Sequence, residues 1–121
     1  MEQKAKSIRS FIGAWYFERS RSFYRDLGFE ESVLSPAMSF LKIDGVGFYL
    51  QDAHVQDWID HSMIFLEVED VCAYWKELQA LNLTAKFKSF KIISIRSHDW
   101  GSECFLHDPS GILWQVGEFF K

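Results

Sequence analysis

Two stretches of the chain carry apolar residues at helical spacing. In residues 18–27 the apolar positions share one face, charged residues occupy the other, and Gly28 follows where a helix would end. In residues 70–81 the apolar residues recur at intervals of three and four. We therefore predict two amphipathic helices. Their apolar faces consist of Phe17, Phe23, Tyr24 and Leu27 in the first, and of Val71, Tyr74, Trp75, Leu78 and Leu81 in the second.

The segments around these helices are short and apolar, and several alternate with polar residues, which predicts β-strands. Strands are expected at residues 7–14, 29–34, 38–43 and 46–50 in the first half, and at 62–68, 84–90, 92–96, 103–106 and 112–116 in the second. Asp44-Gly45 predicts a tight hairpin turn, and Pro109 with Gly111 predicts another. The polar segment 51–60, which contains Trp58, is expected to be a linker or a short surface helix.

The two halves of the chain resemble each other. The run Phe23-Tyr24-Arg25-Asp26-Leu27 matches Tyr74-Trp75-Lys76-Glu77-Leu78 as aromatic, aromatic, base, acid and leucine. Phe40-Leu41 before Asp44-Gly45 likewise parallels Phe105-Leu106 before Asp108 and Gly111. A repeat of this kind is the signature of a duplicated supersecondary unit. We predict one α+β domain over residues 1–121, with a β-α-β-β-β order in the first half and a second copy after it.

Composition and charge exclude several classes of function. The chain has 121 residues and a net charge of −4 with no basic tract, so it is a poor candidate for binding nucleic acid, where phosphate neutralisation dominates affinity. No apolar stretch approaches the roughly 20 residues that span a bilayer, and no signal-peptide pattern is present. We therefore expect a cytoplasmic protein without a membrane partner. Cys72 and Cys104 belong to no metal or redox motif and are expected to be buried.

Three motifs carry a resemblance to a known family. They are Glu18-Arg19-Ser20 near a helix start, then Phe23-Tyr24-Arg25-Asp26-Leu27-Gly28-Phe29, and finally Asp108-Pro109-Ser110-Gly111-Ile112-Leu113-Trp114. Over nearly the whole chain the sequence resembles the vicinal oxygen chelate superfamily, which groups glyoxalase I, the extradiol dioxygenases and the bleomycin-resistance proteins. Trp100-Gly101 before Phe105, and the run from Phe40 to Gly45, are most similar to the bleomycin-resistance branch. The resemblance implies tandem βαβββ modules, at about 6–51 and 61–118, that form a curved mixed sheet around a cup, and usually a homodimer.

The resemblance also allows the metal site to be tested. Metal-dependent members place four His, Glu or Gln ligands in the cup, two from each module, and those positions fall near Arg9, Tyr49, Met63 and Gln115. An arginine repels a cation, a tyrosine is neutral at pH 7, and a thioether is too soft for a hard divalent ion. A shift of two residues would bring in His61 for Met63, which still leaves too few ligands. We expect neither a metal nor another cofactor.

Strand alternation assigns the other residues that face the cup. Trp114 is expected to pack outward beneath the second helix, whereas Leu113 and Gln115 look inward. Trp100 stands in a polar loop at the entrance, where it either contacts the ligand, plugs the end of the barrel or lies in a dimer interface. The predicted ligand-binding residues are Arg9, Phe11, Phe40, Tyr49, Met63, Phe65, Glu67, Trp100, Glu103 and Gln115.

No residue is assigned a catalytic role. The chain lacks a nucleophile elbow and a glycine-rich phosphate loop, and Cys104 lacks an adjacent base because Glu103 should point to the opposite face of its strand. The leading hypothesis is a metal-free binding protein that sequesters a planar or aromatic small molecule, such as an antibiotic. Three alternatives stay open: a metal-dependent lyase or dioxygenase of the same superfamily, a metal-free isomerase-like enzyme that uses Glu67 or Glu103, and a subunit without a ligand.

Overall fold

The structure is a computed structural model that describes residues 2–53 and 55–120. Within those residues the chain forms eight strands and four helices. In chain order they are β1 (Phe11–Gly13), α1 (Phe17–Leu27), β2 (Glu30–Ser35), β3 (Met38–Ile43), β4 (Val46–Gln51), α2 (Gln56–Asp60), β5 (Met63–Glu67), α3 (Val71–Ala80), α4 (Leu83–Lys86), β6 (Lys91–Ser97), β7 (Gly101–His107) and β8 (Leu113–Phe119).

The strands form two four-stranded sheets with the same internal order. The first sheet runs β1-β4-β3-β2 and the second runs β5-β8-β7-β6. In each sheet the first strand of the module pairs in parallel with the last, which sets Phe11 beside Tyr49 and Phe65 beside Gln115. The remaining pairs are antiparallel. The predicted α+β fold, built from two βαβββ units, is therefore confirmed.

The ends of the two long helices follow from local sequence. Gly28 ends α1 in the left-handed conformation, with φ of 113°, a region that a residue with a Cβ rarely adopts. Asp70 caps the start of α3, where its carboxylate accepts a hydrogen bond from the backbone N–H of Ala73 at 3.0 Å. Both helices thus begin and end close to the predicted positions.

Helix α1 packs between its own sheet and the second module. The ring centroid of Tyr24 lies 5.0 Å from that of Phe48 on β4 and 5.7 Å from that of Trp114 on β8. Phe23 contacts the rings of Phe87 and Phe90, which follow α4. The helix-bearing sides of the two sheets therefore share one core, and the face of each sheet that points away from this core, which we call its open face, is left uncovered.

The structure corrects four expectations. The strand expected at residues 7–14 is limited to Phe11–Gly13, and Ile8 before it is almost fully exposed, with no core to pack against. Residues 84–90 are not a strand: Leu83, Phe87 and Phe90 are buried at intervals of four and three, and α4 occupies the start of this stretch.

The other two corrections concern burial. Cys72 is exposed, because it lies on α3 beside Val71 and not on the buried face of the helix, whereas Cys104 is buried as expected. Trp114 faces the core, but it packs against Tyr24 of the first module's helix, not beneath the second helix. Among the described residues, no helix has the length and apolarity needed to cross a membrane.

Candidate functional site

The open face of the first sheet carries a set of stacked rings. Phe11 and Tyr49 are neighbours on parallel strands, and their ring centroids lie 4.8 Å apart in a stacked arrangement. Phe40 pairs with Tyr49 across β3 and β4, with its centroid 5.2 Å away. We call these three residues the first aromatic cluster. Phe11 is 57 % exposed, so the rings pack against one another while part of their surface stays open to solvent.

The open face of the second sheet carries a matching set. Phe65 on β5 lies 5.6 Å from Phe119 on β8 and 6.4 Å from Trp100, which precedes β7. The centroids of Trp100 and Phe119 are 5.3 Å apart, and the imidazole of His98 stacks on Trp100 at 5.5 Å. Phe65, Trp100 and Phe119 form the second aromatic cluster. All three are exposed, at 40, 37 and 48 %.

A glycine supports one ring of the second cluster. A Cβ built at Gly117 would lie 2.6 Å from Cζ of Phe65, which is closer than real contacts allow. The ring of Phe65 therefore lies over the bare backbone of β8, at a position that Gly117 keeps free. This arrangement leaves the outer face of the ring turned toward the open side of the sheet.

A single buried carboxylate lies beside the second aromatic cluster. Glu103 on β7 is 6 % exposed, and its Oε1 is 2.8 Å from Nε2 of His98. The side-chain amide of Gln115 donates a short hydrogen bond to Oε2 of the same carboxylate. Such a charge, held by one histidine and one amide, is a natural anchor for a polar group of a ligand.

Cys104, the next residue along β7, faces the core. Burial, and then the charge of Glu103, raise the pKa of the Cys104 thiol to about 11. The thiol is therefore protonated near neutral pH and unsuited to act as a nucleophile.

The predicted site residues separate into two groups. Arg9, Phe11, Phe40 and Tyr49 lie together on the first sheet, and Phe65, Trp100, Glu103 and Gln115 lie together on the second. Met63 and Glu67 are exposed on β5, on the same side as Phe65. Among the described residues, no hydrogen bond or ring contact joins the first group to the second.

The sequence did not predict two further residues, Phe119 and His98, that contact the second group. Phe119 follows Gln115 and Gly117 with a period of two, so strand alternation would have found it if the predicted strand had not ended at residue 116. His98 lies in the connection between β6 and β7, where no periodicity applies. Its contacts with Trp100 and Glu103 depend on the path of that connection.

The strand register sharpens the test for a metal. On the parallel strands, Phe11 lies beside Tyr49 and Phe65 lies beside Gln115. These pairs offer a divalent cation one amide and one neutral phenol, and the side chain of Gln115 already donates to Glu103. His61 lies at the end of α2, before β5 begins. The residues at these strand positions do not fit a divalent metal ion.

A groove lies at the end of the first aromatic cluster. Phe11, Asp57, Trp58 and His61 line a groove of about 410 Å³ between β1 and α2. Trp58 is 56 % exposed there. Of the two possibilities for the polar segment, a linker or a short surface helix, the structure shows the helix, α2. Its tryptophan extends the line of exposed rings.

Comparisons with known proteins agree on the fold. No protein-family model matches the chain, and no curated protein matches it by sequence. Among solved structures, it is similar to a bleomycin-binding protein of Streptomyces verticillus complexed with copper(II)-bleomycin, at 17 % identity over 99 % of this chain and 100 % of that one, with a TM-score of 0.81.

Two further structures show the same likeness. An antibiotic-binding protein from a Streptomyces species has 16 % identity over 98 % of this chain and 100 % of its own, with a TM-score of 0.76. A lactoylglutathione lyase from Agrobacterium tumefaciens has 20 % identity over 96 % of both chains, with a TM-score of 0.68. At these identities the likeness is one of fold. The fold expected from the resemblance to the vicinal oxygen chelate superfamily is thereby confirmed: the chain folds as bleomycin-binding proteins and lactoylglutathione lyase do.

Proposed function

We propose that this protein binds a planar aromatic small molecule on the open faces of its sheets, without a metal ion. The observation that carries the proposal is the second aromatic cluster. Phe65, Trp100 and Phe119 contact one another and still expose between about a third and a half of their surface. Exposed rings held in place by their neighbours offer stacking surface at little cost in side-chain entropy.

The structural relatives support the same kind of ligand. Two of them are described as binding bleomycin or another antibiotic. A protein of this fold that holds such a molecule tightly would keep it from its target by sequestration. We therefore place antibiotics with flat ring systems first among the ligand candidates for this chain.

The donor chemistry supports binding without a metal. The positions to which the resemblance assigns the ion hold Arg9, Tyr49, Met63 and Gln115, and the register sets Phe11 beside Tyr49 and Phe65 beside Gln115. Among these residues only Gln115 has an oxygen suited to a hard divalent cation. Binding would rest on stacking and on a few hydrogen bonds from groups such as Glu103 and Gln115.

A homodimer would protect part of this apolar surface. Exposed apolar residues gather on the open faces and at their borders, including Phe11, Met63, Phe65, Trp100 and Phe119. Large exposed apolar patches mark interaction surfaces. We propose that a second copy of the chain covers part of them and closes the cup around the ligand, which light scattering of the purified protein would test directly.

A second candidate function rests on the carboxylate of Glu103. A buried glutamate hydrogen-bonded to a histidine on a ligand-facing surface is also what a general base requires. On this reading the protein would move a proton on a bound substrate without a metal. The binding function stands first because the exposed, mutually contacting rings of the second aromatic cluster support it directly.

Calorimetric titration with bleomycin and with flat aromatic antibiotics tests the proposal. We expect at least one ligand to bind, and we expect Trp100→Ala to weaken its binding about two- to tenfold through lost stacking. Trp75→Phe, on the outer helix α3, is the matched control and should leave the affinity unchanged. Absence of binding by every compound, or equal affinities for both variants, would contradict the proposal. Elemental analysis that finds one divalent metal per chain would contradict its metal-free part.

A further inference from the structure

The first aromatic cluster ends in a cationic pocket. Lys6, Arg9 and Lys42 line a cavity of about 350 Å³, together with the ring of Phe40, with Ser7 and Ile8, and with residues 45–47 of the β3–β4 hairpin. None of the described residues that line it is acidic. Three cations around one cavity are unexpected in a chain whose net charge is −4.

The central cation, Arg9, contacts two aromatic side chains. The guanidinium carbon of Arg9 lies 4.2 Å from the ring centroid of Phe40, and Nη1 donates a hydrogen bond of 3.0 Å to the hydroxyl of Tyr49. A guanidinium has five N–H donors, so most of them remain free for a ligand. Stacking on an aromatic ring fixes the plane of the fork while leaving its charge in place.

The ring under Arg9 is itself supported by the backbone. A Cβ built at Gly47 would lie 2.5 Å from Cζ of Phe40 and 2.7 Å from the carbonyl oxygen of Leu41. Gly47 therefore lets the ring of Phe40 lie close to β4, with Arg9 stacked against it. Backbone, ring and guanidinium together make a preorganised cation at the end of the cluster.

The nearby carboxylates lie outside the cavity and do not neutralise its positive charge. Glu30 pairs with Lys42 across β2 and β3, and Asp44 precedes the hairpin glycine, but neither lines the cavity. No ion pair between described residues joins Lys6, Arg9 or Lys42 to an acidic side chain. The three charges are thus available to an anion from solution.

We propose that this pocket binds the anionic group of the ligand, such as a carboxylate, sulfonate or phosphate, while the ligand's rings stack along Phe40, Tyr49 and Phe11. The aromatic half of this statement rests on the proposed function, whereas the anionic half adds a chemical class to it. The ligand is then a flat aromatic acid. Cation-assisted hydrogen bonds supply the orientation that stacking alone does not.

A matched pair of fluorescent probes tests the inference. Anilinonaphthalene sulfonate carries an anionic group, and N-phenyl naphthylamine has the same ring system without it. At low salt we expect the wild-type protein to bind the sulfonate at least about tenfold more tightly than the uncharged naphthylamine. Added salt should weaken the binding of the sulfonate and leave that of the naphthylamine unchanged.

Variants then locate the effect. Lys42→Gln and Lys6→Gln should each reduce the affinity for the sulfonate several-fold and leave that for the uncharged probe unchanged. Arg9→Lys should also lower the affinity for the sulfonate, because an ammonium ion lacks the planar donor geometry of a guanidinium. Lys76→Gln, an exposed change on α3, is the control and should change neither affinity. Circular dichroism would verify that each variant is folded.

The outcomes separate the two proposals. Equal affinities of the wild-type protein for both probes, or a preference that persists in Lys42→Gln and Lys6→Gln, would overturn the anionic site and leave the aromatic proposal standing. Sulfonate binding that requires Lys42, with no binding of the uncharged probe, would support the anionic site and contradict the aromatic one. If neither probe binds, both proposals fall.

Discussion

The hydroxyl of Tyr24 on α1 donates a hydrogen bond to Oδ2 of Asp108, 2.5 Å away in the turn before β8. The same hydroxyl accepts a hydrogen bond of 2.9 Å from the indole nitrogen of Trp114. The other carboxylate oxygen of Asp108 accepts the backbone N–H groups of Ser110 and Ile112. Tyr24 and Asp108 are fully buried, so this network ties the helix of one module to the closing turn of the other. The Asp-Pro-Ser-Gly turn is therefore structural.

Removing the hydroxyl should loosen this connection. Tyr24→Phe removes the hydrogen bonds to Oδ2 of Asp108 and from the indole N–H of Trp114 in a buried environment, so we expect the free energy of unfolding to fall by about 1–3 kcal/mol. Tyr16→Phe, at an exposed position, should change it by less than about 0.5 kcal/mol. Urea denaturation of both variants measures the difference. Equal losses would show that the network contributes nothing specific.

The same tyrosine predicts how stability changes in alkaline solution. Burial, and then the charge and hydrogen bond of Asp108, raise the pKa of Tyr24 well above its usual value. Above about pH 10 the unfolded chain releases this proton while the folded chain keeps it, so the stabilisation present below that pH is lost as the pH rises. Denaturation midpoints measured between about pH 8 and 11 should fall less steeply in Tyr24→Phe. An unchanged slope would contradict the assignment.

Much of the fold follows from local sequence. Period and capping place α1 and α3, and the hairpin signal at Asp44-Gly45 places β3 and β4. The failures have physical causes. Leu83, Phe87 and Phe90 are spaced for a helical turn, but lie in a basic stretch that resembles a weak strand. Alternation predicts which face of β8 carries Trp114, but it cannot say that the helix meeting that face belongs to the other module.

The candidate site also contains residues that the sequence predicts and residues that it does not. Phe11, Phe40, Tyr49 and Phe65 lie on strands, so alternation is enough to place them on the open faces. The bond between His98 and Glu103 depends on how a connection folds back over the sheet, and local sequence carries no signal for it. The cationic pocket likewise depends on tertiary structure, because it brings Lys6 and Arg9, before β1, close to Lys42 on β3.

Glu31 on β2 should control stability in acid. Its carboxylate accepts hydrogen bonds from Arg21, Ser39 and Arg25. Burial acts to raise the pKa of Glu31, but the hydrogen bonds from Arg21 and Ser39 and the arginine charges outweigh it and lower the pKa overall. The stabilisation is therefore complete above the unfolded pKa, near 4.5, and is lost as the pH falls through the lower folded pKa.

Glu31→Gln tests this assignment. We expect the variant to be less stable than the wild-type protein at neutral pH and to lose less stability on acidification below about pH 5. Glu30→Gln, an exposed change on the same strand, is the control and should keep the wild-type profile. Thermal unfolding over this pH range measures both, and parallel profiles for all three proteins would contradict the assignment.

The two cysteines should differ sharply in reactivity. Cys72 is exposed on α3, whereas Cys104 is buried and the pKa of its thiol is raised to about 11, first by burial. An aromatic disulfide reagent at about pH 8 should therefore modify one thiol per folded chain and two after denaturation. Cys72→Ser should abolish the fast reaction, and Cys104→Ser should leave it intact. Rapid reaction of both thiols in the folded protein would contradict the placement of Cys104.

The glycine under Phe65 allows stability and binding to be separated. In Gly117→Ala the new methyl group would overlap the ring of Phe65, and the three heavy atoms nearest to it all belong to that side chain. Because the far end of a ring can tilt, we expect unfolding free energy to change by less than about 1 kcal/mol. The tilt should nonetheless disturb the second aromatic cluster and weaken, several-fold, the binding of the antibiotic whose affinity depends on Trp100. Gly45→Ala, on the first sheet, where a Cβ meets nothing within 4 Å, is the matched control. Unchanged affinity for that antibiotic in Gly117→Ala would remove Phe65 from the binding surface.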